Sequence, residues 1–212
     1  PLHIAAEHGH DGVVKRLLNA KESGVAQRLL ASKAPINRRD NRGNTPLHIA
    51  SQNGHDGVVI ELLAQQEASV AQELPTESRI LINRKDSLGR TPLYIAAEHG
   101  HDGVVEKLID KGVIINPANR FNKPNYNPLC IAIQNGHTKV MEKLIAAKAN
   151  TNTTNHHLEE TPLVLAVTGG NTEVVATLLT ANGIEVNKPN KEGSSPLVLA
   201  VTGGNTEVVA TL

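Results

Sequence analysis

One tetrapeptide recurs six times along this chain. Pro-Leu-His-Ile begins at residues 1 and 46, Pro-Leu-Tyr-Ile at 92, Pro-Leu-Cys-Ile at 128, and Pro-Leu-Val-Leu at 162 and 196. The basic unit therefore has about 33 to 34 residues, and the first two units carry about a dozen more each. A fixed period of this length predicts a stack of repeated supersecondary units before any single residue is considered.

Each unit carries the signals of two short helices. In five units a side chain that can cap a helix precedes the proline, which is itself favoured at the first helical position: Thr45, Thr91, Asn127, Thr161 and Ser195. A glycine follows about eight residues later, where a left-handed residue can end the helix, as at Gly54, Gly100, Gly136 and Gly170. An Asp or Thr then begins a second helix whose Val and Leu residues give it one apolar face.

A turn sequence connects each second helix to the next unit. Residues 37–43 and 83–89 read Asn-x-x-Asp-x-x-Gly, which favours tight turns and predicts an extended, hairpin-like finger. Together with Thr-Pro-Leu-His-Ile-Ala at 45–50 and Asn-Gly-His at 53–55, these motifs resemble the ankyrin repeat family over nearly the whole chain. The resemblance implies an all-α repeat fold, an α-solenoid of stacked helix-turn-helix repeats joined by hairpin-like fingers.

No single unit could bury its apolar face alone, so the stacking of neighbours should supply the core. We expect one ankyrin-repeat domain over residues 1–212, with repeats at approximately 1–44, 45–90, 91–126, 127–160, 161–194 and 195–212. The chain starts at a Pro that lacks its capping residue and stops within a second helix. We therefore expect it to be truncated within a repeat at both ends.

The two long units continue the apolar stripe of their second helices. The residues concerned are Val14, Leu18, Val25 and Leu29 in the first unit, and Val59, Leu63, Val70 and Leu74 in the second. Their helical spacing predicts a second helix lengthened by about three turns, roughly 18 Å. Alternatively the first extension is broken into two helices near Gly24, whereas Pro75 ends the second in either case. The pair is either a protruding interaction element or a tolerated insertion at the edge of a repeat.

Composition and motifs argue against several functions. With 21 basic and 21 acidic residues the formal net charge is zero, so no overall field favours nucleic acid or an anionic membrane. The sequence has no apolar run of about 18 residues, no phosphate-binding loop and no metalloprotease or nucleophile-elbow motif. We expect a protein that is not an enzyme, has no cofactor, and binds neither nucleic acid nor membrane.

The cysteine and the histidines are the tempting chemical candidates. Cys130 replaces the His of its tetrapeptide, and a small half-buried helix residue is favoured there over a reactive thiol. A single cysteine fits a reducing intracellular compartment such as the cytoplasm. The His-Gly-His sequences at 8–10 and 99–101 lack the second His or Cys cluster that a zinc site requires, so we expect no metal.

Four histidines recur at one place in the first four units, and Asn takes this place in the last two: His10, His55, His101, His137, Asn171 and Asn205. This recurrence predicts that they form hydrogen bonds in the turns. The family resemblance implies the same for His3 and His48, between the starts of neighbouring first helices.

The resemblance also implies where a partner binds. Ankyrin repeats bind other proteins along a concave surface of finger tips and first helices, and residues that vary there set specificity: Arg42, Asn44, Gln52, Asn53, Ser87, Leu88, Arg90, Glu98, His99, Gln134 and Asn135. The irregular finger of the fourth unit adds Arg120, Phe121 and Tyr126, either as an exposed hot spot or as packing for the loop.

The early fingers are also basic, through Arg38, Arg39, Arg42, Arg84, Lys85, Arg90, Arg120 and Lys123. Their charge predicts that an acidic or polar segment of another protein is steered to them. Alternatively they form a solvated rim without a partner.

The family further implies a modification. Finger-base asparagines resemble substrates of a 2-oxoglutarate-dependent asparaginyl hydroxylase, which favours a Leu eight residues earlier; Asn37, Asn116, Asn152 and Asn187 meet that pattern. Residues 152–154 also form a glycosylation sequence, whose use we do not expect in a reducing compartment.

The sequence thus predicts a monomeric, non-catalytic scaffold for protein–protein interaction. The alternative is a targeting or substrate-recognition module of a larger enzyme or effector whose catalytic domain lies outside this segment. A purely structural spacer is the third reading.

Overall fold

The computed structural model describes residues 1–19, 36–70, 82–117, 127–154 and 160–212. Within these ranges the chain forms twelve α-helices and no β-strand, which confirms the all-α class. The first helices of the successive pairs are α1 (Leu2–Glu7), α3 (Pro46–Asn53), α5 (Pro92–Glu98), α7 (Pro128–Gln134), α9 (Pro162–Thr168) and α11 (Pro196–Thr202). The second helices are α2 (Asp11–Asn19), α4 (Asp56–Val70), α6 (Asp102–Asp110), α8 (Thr138–Ala146), α10 (Thr172–Leu179) and α12 (Thr206–Thr211).

Packing divides the chain into two compact units, Pro1–Ile114 and Ile115–Leu212. In the first unit, α3 contacts both α1 and α5, and α4 contacts both α2 and α6. Each first helix also contacts its own second helix. In the second unit, α9 contacts both α7 and α11, and α10 contacts α12. Within each unit the helix pairs therefore contact their sequence neighbours, as the repeat pattern predicted. The single domain over residues 1–212 stays a prediction.

The helices begin and end where the sequence indicated. The Thr91 hydroxyl accepts the amide hydrogen of Tyr94 at 3.2 Å, and the Asn127 side chain accepts those of Leu129 and Cys130. The equivalent cap forms at Thr161 and Ser195. The glycines that follow the first helices all have positive φ, which a residue with a Cβ adopts only at a cost: Gly9, Gly54, Gly100, Gly136, Gly170 and Gly204.

The core of each unit is built mainly from aliphatic side chains. The leucine of the tetrapeptide is at most 3% exposed in the first five pairs, at Leu2, Leu47, Leu93, Leu129 and Leu163. Cys130 is also buried, at 4% exposure. Burial, with a smaller contribution from the negative charge of Glu160, raises the pKa of its thiol to about 12. A thiol in this environment is protonated and unreactive, which confirms the packing role that its position predicted.

The lengthened second helix is present in the second pair. α4 has 15 residues, whereas α6 and α8 have nine each, so α4 extends about 9 Å further. Val59 and Leu63 of the predicted stripe are buried, and the helix is described as far as Val70. Val25, Leu29 and Leu74 lie outside the described residues, as do Gly24 and Pro75. The form of the first extension therefore stays a prediction.

Candidate protein-binding surface

Each of three described fingers is closed by the side chain of one residue. The Asp40 carboxylate accepts the amide hydrogens of Arg42 and Asn44, both at 2.8 Å. Asp86 and Asn190 accept the amide hydrogens two and four residues later in the same way. Burial alone would raise the pKa of Asp40, but these bonds to Asn44 and Arg42 hold it below its usual value. The carboxylates of the first two fingers are thus occupied within their own turns.

The first two fingers are also bonded to each other. The amide of Ser87 donates to the carbonyl oxygen of Arg42 at 3.1 Å. Arg39 donates through Nη2 to the carbonyl oxygen of Lys85 at 2.8 Å, and through Nε to that of Gly43 at 3.0 Å. Two of the N–H groups of the Arg39 guanidinium therefore join the two fingers.

Histidines join neighbouring pairs at the starts of the first helices. His48 is fully buried, and its Nδ1 accepts the amide hydrogen of Thr45 at 3.1 Å, so Nε2 carries the proton and donates to the carbonyl oxygen of Arg90 at 3.3 Å. His3 bonds in the same way to the carbonyl oxygen of Asn44 at 3.1 Å. Burial lowers the pKa of His48 to about 4. These contacts confirm the predicted role of His3 and His48.

A second set of histidines joins the turns. His55 and His101 donate through Nε2 to the carbonyl oxygens of Glu7 and Gln52, at 3.0 and 2.9 Å. Asn205 donates through Nδ2 to a different carbonyl oxygen of the preceding turn, that of Gly170, at 3.4 Å. The predicted hydrogen-bonding role is therefore confirmed at these three positions.

The paired His-Gly-His rings do not converge on a common point. The rings of His99 and His101 stack 6.1 Å apart at 9°, and those of His8 and His10 are arranged alike. His99 also donates through Nδ1 to the carbonyl oxygen of Ile95. Among the described residues, no three His, Cys, Asp or Glu side chains are grouped as metal ligands would be.

Comparison with known proteins agrees with this geometry. A family model described as "Ankyrin repeats (3 copies)" matches residues 1–73, 67–155 and 129–212, which together cover the chain from end to end. The chain belongs to the ankyrin repeat family. Ankyrin repeats are in general non-catalytic modules for protein–protein interaction. A search of curated proteins gave no match. No described helix is both long and apolar enough to cross a membrane.

Three of the predicted contact residues have internal roles in the first ankyrin unit. Asn44 is only 8% exposed, and its Nδ2 donates to Asp40 at 3.1 Å. Arg90 bonds Asp86 at 2.9 Å and Glu98 at 3.3 Å, so its side chain ties the second finger to α5. Asn44 is therefore buried and does not contribute to the exposed ankyrin surface. Arg90 and Glu98 form an ion pair whose two charges cancel.

The other predicted residues of the first unit are exposed on the ankyrin fingers and first helices: Arg42, Gln52, Asn53, Ser87, Leu88 and His99. Leu88 is 60% exposed at the tip of its finger. Arg38 and Lys85 are exposed and Arg84 is half-buried, and these three and Arg42 form no ion pair within the described part of the chain. In the second unit Gln134 and Asn135 are exposed. Arg120, Phe121, Lys123 and Tyr126 lie outside the described residues.

The finger-base asparagines connect neighbouring ankyrin pairs. The Asn116 amide accepts from Asn150 at 2.8 Å and donates to the carbonyl oxygen of Lys148 at 3.2 Å. Asn152 accepts from Glu185 at 2.9 Å and donates to Gly183 at 2.7 Å. Sequence reasoning missed this role, although the recurrence of Asn at this place was the signal for it. Nδ2 of Asn152, the atom that a glycan would join in the sequence at 152–154, is therefore hydrogen-bonded in the folded chain.

Proposed function

We propose that this chain is a protein-interaction scaffold that binds an acidic or polar segment of another protein. The fingers and first helices of the first unit, Pro1–Ile114, supply the binding surface. The observation that carries the proposal is the charge of its first two fingers. Arg38, Arg42, Arg84 and Lys85 form no ion pair with any described residue, whereas the nearby carboxylates of the same fingers are bonded inside their own turns.

The fifth finger lacks this excess of positive charge. In the fifth finger Lys188 pairs with Glu185 at 3.2 Å, and the exposed Lys191 is followed by the exposed Glu192. Single rim charges contribute only about 0.2–1 kcal/mol each to binding. Several charges of one sign raise the association rate of an oppositely charged partner and make binding depend on salt.

Charge reversal at Arg42 and Lys85 together tests the proposal. Both side chains are exposed, so the fold should survive, whereas reversal at Arg90 would break its bonds to Asp86 and Glu98. The probe is a fluorescein-labelled peptide library of acidic sequences, with each acid replaced by its amide in a matched library. Lys191→Glu in the fifth finger is the control.

We expect the acidic peptides alone to bind the natural chain, with affinity that falls as salt increases. Arg42→Glu with Lys85→Glu should weaken this binding at least tenfold, whereas Lys191→Glu should not change it. Equal binding of the amide peptides, or unchanged affinity in the double variant, would contradict the proposal. A targeting module of a larger enzyme would use the same surface and gives the same expectations.

We further propose that Asn37, Asn116, Asn152 and Asn187 are substrates of an asparaginyl hydroxylase. The support is the family resemblance and the leucine eight residues earlier, at positions 29, 108, 144 and 179. Leu108 and Leu144 are fully buried, so packing alone also requires them. Intact mass after incubation with such an enzyme and 2-oxoglutarate is the measurement, and a chain without added oxygen would refute this assignment.

A further inference from the structure

We propose that Ser87 is a phosphorylation site for a basophilic serine/threonine kinase and that its phosphate, bound by Arg39 of the neighbouring finger, switches off the basic surface. The kinase transfers the γ-phosphoryl group of ATP. The Ser87 Oγ–P bond forms as the bond from that phosphorus to ADP breaks, and the hydroxyl proton passes to the catalytic base of the kinase. The effect on partner binding rests on the proposed function, whereas the modification and its Arg39 contact do not.

The local sequence is the first argument. Residues 84–87 read Arg-Lys-Asp-Ser, and kinases of this class select substrates by pairing acidic subsites with basic residues before the acceptor. In the whole chain only Thr45 and Ser87 have an arginine three residues earlier. Thr45 is 2% exposed and hydrogen-bonds the His48 ring, whereas Ser87 is exposed at the finger tip. Of these two residues, only Ser87 offers an exposed hydroxyl in the folded chain.

The second argument is the condition of that hydroxyl. The amide of Ser87 is bonded to Arg42, but Oγ forms no hydrogen bond within the part of the chain that the structure describes. Arg84, which is half-buried, and Lys85, which is exposed, precede the turn outside any helix and are the residues that a kinase would read. Modification of Oγ therefore breaks no hydrogen bond of the finger.

The third argument is that a receptor for the phosphate is already in place. A methyl group built on Gly43 would touch both the Ser87 hydroxyl and, at 2.8 Å, Nη2 of Arg39, so these two groups face the same small space. A guanidinium has five N–H donors, and Arg39 uses two of them for carbonyl oxygens. A phosphoserine has three strong acceptor oxygens and about −1.5 to −2 charges, and it forms one to three bonds with such a partner.

Two measurable consequences follow from this placement. The phosphate links the first two fingers through Arg39, which should raise the midpoint of thermal unfolding by a few degrees. It also cancels about half of the charge of Arg38, Arg42, Arg84 and Lys85, which should weaken the binding of acidic peptides about tenfold. The first consequence needs no partner.

The experiment treats the folded 212-residue chain with the catalytic subunit of cyclic-AMP-dependent protein kinase and magnesium ATP. We expect one added phosphoryl group in the intact mass, located at Ser87 by fragmentation. Ser87→Ala should remove it and Arg84→Gln should slow its addition. Ser194→Ala, in the fifth finger, should behave as the natural chain. Phosphate found only at other residues, or at Ser87 only after unfolding in urea, would overturn the proposal.

The phosphorylated chain is then compared with the untreated chain by thermal unfolding, alongside an Arg39→Gln pair treated in the same way. The midpoint should rise in the natural sequence and stay unchanged in Arg39→Gln; an equal change in both would overturn the Arg39 contact. Acidic-peptide affinity is measured on the same samples. If the untreated chain fails to bind acidic peptides, the proposed function fails, while the mass and unfolding results still decide the phosphorylation site.

Discussion

Gly54 ends α3 and faces a side chain of the next helix pair, so its replacement by alanine should destabilise the fold in two ways. Its φ of +70° is unfavourable for a residue with a Cβ, which costs about 1–2 kcal/mol. The added Cβ would also lie 2.6 Å from Nδ1 of His101, so the ring must move away. That movement breaks the 2.9 Å bond from His101 to the carbonyl oxygen of Gln52, which costs about 0.5–1.5 kcal/mol more.

Gly112 is a matched control for the first of these effects. Its φ is +72°, and a Cβ added there would meet no atom within 4 Å. Gly112→Ala should therefore cost about 1–2 kcal/mol, and Gly54→Ala about 1 kcal/mol more than that. The assay is the free energy of unfolding from urea titrations followed by helical circular dichroism.

A double-mutant cycle with His101→Ala separates the two effects. Once the ring is absent, Gly54→Ala should cost no more than Gly112→Ala, which gives a coupling energy of about 1 kcal/mol between residues 54 and 101. Equal costs for Gly54→Ala with and without the ring would show that the histidine contact does not join the pairs, and the reasoning about these turns would be wrong.

Three further predictions use the same unfolding assay. Because burial lowers the folded pKa of His48 from 6.5 to about 4, protonation favours the unfolded state; its stabilisation is complete above pH 6.5 and should fall by about 2 kcal/mol between pH 7 and pH 5. His48→Gln should remove that part of the pH dependence, and an unchanged profile would refute it. Ser51 is fully buried and its Oγ has no hydrogen-bond partner among the described residues, so Ser51→Ala should stabilise the chain by about 1 kcal/mol; destabilisation would show that the hydroxyl has a partner. Asn152→Ala removes two bonds to the following pair and should cost about 1–3 kcal/mol, whereas the exposed Asn41→Ala should cost almost nothing.

The fold was predictable because each local signal agreed with the period. Thr91 and Asn127 cap the helices that their prolines begin, and Gly54 and Gly170 have the left-handed backbone that ends them. Such agreement between local preference and global pattern is what makes a sequence foldable. The division of the packing after Ile114 was not predicted. Periodicity describes how neighbours stack, and it carries no information on how closely one group of pairs packs on the next.

The binding surface was less predictable because residues at equivalent places in different fingers have different roles. Arg39 and Lys85 hold equivalent places in the first two fingers, as do Asn44 and Arg90. Yet Arg39 is bonded across the finger junction, while Lys85 is exposed and forms no ion pair with the part of the chain that the structure describes. A count of basic residues cannot make this distinction, because it depends on which carbonyl oxygens the neighbouring finger brings within reach.

The sequence does indicate some of the finger side chains that are bonded internally. Asn44 and Arg90 each come four residues after the aspartate that closes their finger, and each donates to it from the side chain as well as the backbone. A side-chain donor at this spacing from a turn aspartate therefore indicates an internal bond. Arg42 and Leu88, two residues after that aspartate, donate to it only through the backbone, which leaves their side chains exposed. A substitution two residues after the turn aspartate, at Arg42 or Leu88, can change the side chain that a partner contacts without changing the turn. Binding specificity should therefore be sought at these two residues first.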